Sequence, residues 1–197
     1  SSCPASSASP STPLFVYAGS PAYTDIASLI ISIAKELKDR GYAFSLYMTG
    51  PQHEDIAEHA VQKNMSDMIR FPGMLSFDEL TQLFSDASAL LAPLPNTEQT
   101  IARFSTKLGE YLMSGTPVVT NPVGDVILYL EDRETVFFAK DFSASAFADK
   151  IEAIISDPQK AREVGEAGRQ KAATAFSYRQ HGKHLADFFP HTVLLAK

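Results

Sequence analysis

The stretch "RFSTKLGEYLMSGTPVVT", Arg103–Thr120, decides how this chain folds. It reads as a short amphipathic helix, a glycine–proline stop and a strand. Ser105 or Thr106 can cap the helix, Gly115 takes the place of a C-cap glycine, and Pro117 follows it. Phe104, Leu108, Tyr111 and Leu112 fall on one side of such a helix, and Arg103, Lys107, Glu110 and Ser114 on another. Lys107 then lies in the first turn, where free amides and the helix dipole favour anions and disfavour cations. A lysine there is either tolerated at the surface or held by a negative partner.

The same alternation of helix and strand extends along the chain. "LFVYAG" (Leu14–Gly19) and "YAFSLYMTG" (Tyr42–Gly50) are strands ending in glycine, and "MIRFPG" (Met68–Gly73) is a third. Between the first two, Ile26, Leu29, Ile30, Ile33 and Leu37 share one helical face, and Gly41 stops the helix. A polar helix is expected around Glu54–Lys63. Ser76 and Glu79 form a capping box opening the next helix, followed by the buried-type strand "ASALLAPLP" (Ala87–Pro95). Beyond "PVVTN", "TVFFAK" (Thr135–Lys140) is a strand, and helices are expected near Ala144–Ser156, Pro158–Ala175 and from Tyr178 toward Phe189.

Strands alternating with helices imply βαβ units: an α/β, Rossmann-like parallel sheet with helices on both faces. Ligands of such sheets bind beyond the carboxyl ends of the strands, so Gly19, Gly50, Gly73 and the Pro93–Arg103 loop are expected to gather there. One domain over residues 14–197 is the economical reading. Residues 1–13, "SSCPASSASPSTP", are rich in Ser and Pro and read as a poorly ordered linker or an artificial end. They lack the basic start and apolar core of a signal peptide.

Composition narrows the function. Of 197 residues, 45% are hydrophobic and 20% charged, as in a soluble globular protein. A net charge of −6 argues against a surface built for nucleic acid. No run approaches the ~18 apolar residues of a membrane span. The single cysteine, Cys3, excludes a disulfide framework and a Cys-rich metal site, and suits a reducing compartment such as the cytoplasm.

Two readings of Lys107 and Glu110 stand side by side. Three residues apart, they can form an ordinary helix-surface pair, worth ~0.2–0.5 kcal/mol. Alternatively they belong to a nucleotide-diphosphate site. Free amides would take phosphate oxygens, Lys107 would supply the charge, and Glu110 would accept hydrogen bonds from ribose hydroxyls.

A resemblance bears on this choice. "RFPGMLSFDELTQLFSDASALLAPLP" followed by "STKLGEYLMSGTPVVTNPVGD" resembles the C-terminal, donor-binding half of retaining GT-B glycosyltransferases of the family 4 type. The segment "KLGEYLMSGTPVV" is its most specific part, and "FVYAGS" and "YMTG" match the same half. The resemblance covers about Pro13 to Phe189. It implies that Lys107 neutralises the donor diphosphate, aided by Arg103, Ser105 and Thr106 at the helix start, and that Glu110 holds the ribose. It also implies that the Phe71–Gly73 loop borders the nucleobase and that Gly19 and Ser20 lie near the phosphates. The reaction implied is glycosyl transfer with retention. A nucleotide-diphosphate sugar serves as substrate, and neither a cofactor nor a metal is required, because the departing diphosphate is neutralised by cations and a helix N-terminus. The acceptor is unknown. It would be held by an N-terminal half of the same protein, and the isolated C-terminal half is expected to be inactive.

The chain departs from the family pattern in places. Members often carry a second acid eight positions before the one matching Glu110, where this chain has Ala102. They also commonly have Arg and Lys where Ser20 and Asp25 stand. These departures motivate the alternative of a noncatalytic binding or interaction domain on the same fold. The last helix, "YRQHGKHLADFF", resembles the segment that crosses back to the N-terminal half, so Phe188 and Phe189 are expected to be unusually exposed. His181 and His184 are three apart but lack an evident third metal ligand, and a solvated or interdomain role is favoured. Asp125 is expected to cap a helix ahead of approaching a ligand.

Overall fold

The computed structural model describes residues 12–19, 24–51 and 54–177, together with 182, 183 and 185–187. Ser20, most of the linker, most of the last expected helix, Phe188, Phe189 and every histidine except His59 lie outside the described residues.

Six strands form one parallel sheet: β1 Leu14–Ala18, β2 Ser45–Thr49, β3 Ile69–Gly73, β4 Ala89–Ala92, β5 Val118–Thr120 and β6 Phe137–Phe138. Their order across the sheet is β3-β2-β1-β4-β5-β6, the doubly wound order of a Rossmann fold. The expected fold class is therefore the observed one. Side chains alternate strictly between two cores, as a sheet covered on both faces requires. Phe15, Leu46, Met48, Leu91, Val119 and Phe137 enter the first core. Their neighbours Val16, Leu90, Ala92 and Val118 enter the second.

Helices α1 (Thr24–Asp39), α2 (Glu54–Gln62) and α7 (Ala144–Ser156) cover the first core; α3 (Phe77–Asp86) and α5 (Thr106–Met113) cover the second. Two one-turn helices, α4 (Glu98–Ile101) and α6 (Val126–Tyr129), lie in loops. α8 (Pro158–Ala175) buries Ala161 and Val164 in the first core and Ala172 in the second. None of the helices among the described residues is long and apolar enough to cross a membrane.

Local chemistry explains most of the boundaries. The capping box of α3 is formed: Ser76 Oγ accepts from the Glu79 amide at 3.3 Å, and the Glu79 carboxylate accepts from the Ser76 amide at 2.8 Å. Ser143 caps α7, and Asp157 caps α8 with Pro158 behind it. Gly115 ends α5 with φ +79°, a left-handed turn that glycine adopts without strain. α1 and α7 are joined through Arg40, whose guanidinium meets Glu36, Asp149 and Glu152.

Candidate functional site

β1 and β4 are neighbours, yet the chain leaves them toward opposite sides of the sheet. Loops diverge beyond their carboxyl ends and leave a crevice, the usual ligand position in this topology. Here the crevice has a volume of about 420 Å³. Arg103, Ser105, Thr106 and Lys107 line it from the start of α5, with Tyr17 at the end of β1 and Asp25 in the first turn of α1.

Hydrogen bonds between loops shape this end of the sheet. The Gly19 amide donates to the Thr49 carbonyl at 2.9 Å, and the Gly50 amide donates to the Gly73 carbonyl at 3.0 Å. The Thr49 hydroxyl reaches the same Gly73 carbonyl at 2.7 Å. The three glycine-ended loops are thus tied together as expected. Across the crevice, the buried Asn121 amide accepts from the Leu94 N–H and donates to the Leu94 carbonyl, each at 2.8 Å. This two-point bracket fixes the loop after β4, which the sequence presented as irregular and which also contains α4.

α5 is held in place by Tyr111. Its buried hydroxyl accepts from the Ala18 N–H at 2.6 Å and donates to the Ala18 carbonyl at 3.2 Å. Burial pushes the phenol well above its ordinary range, so it stays protonated and able to donate. Sequence reasoning counted Tyr111 among the apolar residues. Its hydroxyl was the overlooked signal, since a buried tyrosine needs a polar partner.

One turn earlier, Lys107 extends over the end of β1. Its Nζ stands 4.5 Å from the centre of the Tyr17 ring and 3.5 Å from the Tyr17 hydroxyl. Among the described residues it belongs to no ion pair. Burial lowers its pKa from 10.5 to about 8, and nearby Glu110 only partly offsets this. Ser105 occupies the N-cap without a side-chain capping bond, so the first amides of α5 are not closed off by their own cap. A half-buried cation beside open amides at a helix N-terminus makes an anion-binding arrangement.

The polar side of α5 does not act as one surface. Arg103 and Lys107 line the crevice, whereas Glu110 and Ser114 line a second, mainly apolar hollow of about 1000 Å³ between α3, α5 and the end of α8. Phe77, Phe84, Met113 and Phe176 form its walls. Three residues advance a helix by about 60° net, enough to turn Glu110 away, and Lys107 bends toward Tyr17. Thr106 lines both hollows. The larger hollow lacks the convergent polar groups that the crevice has, and chemistry singles out the crevice.

Other expected positions are mixed. Gly73 lies in the strand-end network, while the Phe71 side chain packs on the first core. Phe104 precedes α5 and stacks on Phe176 at 4.4 Å. Asp125 takes the N-cap position of α6 but makes no side-chain capping bond, because its backbone is already helical, with φ −72° and ψ −6°.

Comparison with known proteins agrees with the fold. The family described as "Glycosyl transferases group 1" matches residues 4–171. Alpha-D-kanosaminyltransferase of Streptomyces kanamyceticus is 23% identical over 179 residues, covering 90% of this chain and 45% of that protein. The chain spans less than half the length of the curated relatives it matches, 45% and 28%. Two solved structures share the fold. Anabaena HepE, in complex with UDP and glucose, has a TM-score of 0.71 at 15% identity, over 90% of this chain and 48% of its own. The C-terminal domain of a group 1 family glycosyl transferase (LpcC) from Francisella tularensis has a TM-score of 0.67 at 15% identity. In that case 85% of this chain covers 87% of the other. On the family match across most of its length, this chain belongs to the group 1 glycosyltransferases.

Proposed function

We propose that this chain is the donor-binding half of a retaining glycosyltransferase of the family 4 type, with the nucleotide-diphosphate sugar seated at the switch-point crevice. One observation carries the reading: the Lys107 ammonium, outside any ion pair among the described residues, stands beside the uncapped start of α5. In this reading Lys107, Arg103 and the amides near Ser105 and Thr106 take the diphosphate. Gly19 lies against the phosphates, and backbone at the end of β3, Phe71–Gly73, borders the base. Glu110 receives the ribose across Thr106, which together with Phe104 lines both hollows.

Transfer needs charge neutralisation on the departing diphosphate, which these groups supply without metal. The acceptor is held by an N-terminal half of the full protein, acting in the cytoplasm, and this half alone transfers no sugar. HepE in complex with UDP and glucose supports a nucleotide of this class.

Titration calorimetry with uridine diphosphate, guanosine diphosphate and inorganic pyrophosphate tests the site. Lys107→Ala should weaken all three ligands by about tenfold or more, as expected for a charge-assisted contact. Glu110→Ala should weaken the two nucleotides and leave pyrophosphate unchanged. Equal affinity of the parent and Lys107→Ala would remove the proposal. A second reading, a noncatalytic binding domain on this fold, is favoured by Asp25, an acid on the wall of the same crevice. Glycosyl transfer by the full-length protein excludes it.

A further inference from the structure

Lys107 and Tyr17 approach each other from opposite sides of the sheet. Lys107 leaves α5, whose Leu108, Tyr111 and Leu112 sit in the second core, while Tyr17 belongs to the first. They meet past the end of β1 in the space left by Gly19. A Cβ on that glycine would lie 2.5 Å from Lys107 Nζ and 2.5 Å from Tyr17 Cζ. Tyr17 is only 4% exposed, so its ring is fixed by packing.

We infer that Tyr17 is a positioning residue for Lys107: its ring fixes the ammonium over Gly19 without neutralising it. A carboxylate would hold the lysine equally well but would spend the positive charge. An aromatic face attracts the cation through its quadrupole and leaves its charge available to an incoming anion. The ring is the main contact, because 3.5 Å is long for a bond between the ammonium and the hydroxyl. Ordering the flexible lysine chain before binding spares the ligand that entropic cost, a form of preorganisation. Charged groups nearby are Asp25 and Arg103 on the crevice wall and Glu110 on the same helix. None of them forms an ion pair with Lys107.

The functional part of this inference rests on the diphosphate reading above, and the test separates the two. The chain is reductively methylated with carbon-13 formaldehyde, and the Lys107 signal is identified by its loss in Lys107→Arg. Ring current should move that signal upfield of the surface lysines. Tyr17→Leu should return it to their position and weaken pyrophosphate and uridine diphosphate by about three- to tenfold. Tyr17→Phe should retain both the shift and the affinity. A parent Lys107 signal coincident with the surface lysines overturns the inference, and this measurement needs no variant of buried Tyr17. Unchanged affinity in a folded Tyr17→Leu overturns it as well. A Tyr17-dependent shift in a protein that binds neither ligand supports the placement and overturns the diphosphate reading.

Discussion

At Gly19 the absence of a side chain creates the space where Tyr17 and Lys107 meet. Gly19→Ala must push one of them aside. The expected result is a folded protein that has lost at least about tenfold in pyrophosphate affinity, read by calorimetry. Lys107 also gives stability a defined pH dependence. Its pKa in the folded protein is about 8, against 10.5 ordinarily. Between those values the unfolded chain binds more protons than the folded one, so this residue makes stability rise with pH across that window. Below about 8 the full cost of burying the charge is present. Lys107→Met should therefore stabilise the protein at neutral pH by about 1–3 kcal/mol, a gain that disappears above pH 10 or so. Urea unfolding of both proteins across pH measures it. A loss of stability at neutral pH would contradict the burial of this charge.

The element that matters most is α5, and Tyr111 fastens it to β1. Tyr111→Phe deletes both hydrogen bonds to Ala18 and leaves a backbone amide and carbonyl without their partner. The expected cost is about 1–3 kcal/mol in urea unfolding. It should be accompanied by weaker pyrophosphate binding, because Lys107 is carried by the same helix. Much of this element was legible in the sequence. The glycine stop, the buried positions Leu108, Tyr111 and Leu112 and the lysine in the first turn all follow from residue type and a period of 3.6. Not legible was the division of its polar side. Helical periodicity fixes an angle around the axis, but which hollow each angle faces depends on where α3, α4 and α8 pack.

Across the whole molecule, α8 joins the two cores and passes close behind the turn after α5. A Cβ on Gly165 would lie 2.9 Å from Pro117 N and 3.0 Å from Thr116 C. Both are backbone atoms that cannot yield cheaply, so Gly165→Ala should destabilise by about 1–3 kcal/mol. Gly109→Ala, by contrast, has nothing within 4 Å and lies inside a helix. It should stabilise by about 0.5–1 kcal/mol. Thermal unfolding of the pair gives opposite signs if α8 sits as described.

The sequence alone determined the order of the strands and of the longer helices among the described residues, the two-sided burial of the sheet and the presence of a cation where a helix begins. Each depends on local periodicity or on capping and turn chemistry that residue types encode directly. Only the tertiary structure decided that Tyr17 and Lys107, 90 positions apart, would meet beyond one strand end. It also decided that Glu110 would face a different hollow from Lys107. Those outcomes depend on how α5 docks on the sheet, and a docking angle is a property of two packed surfaces together.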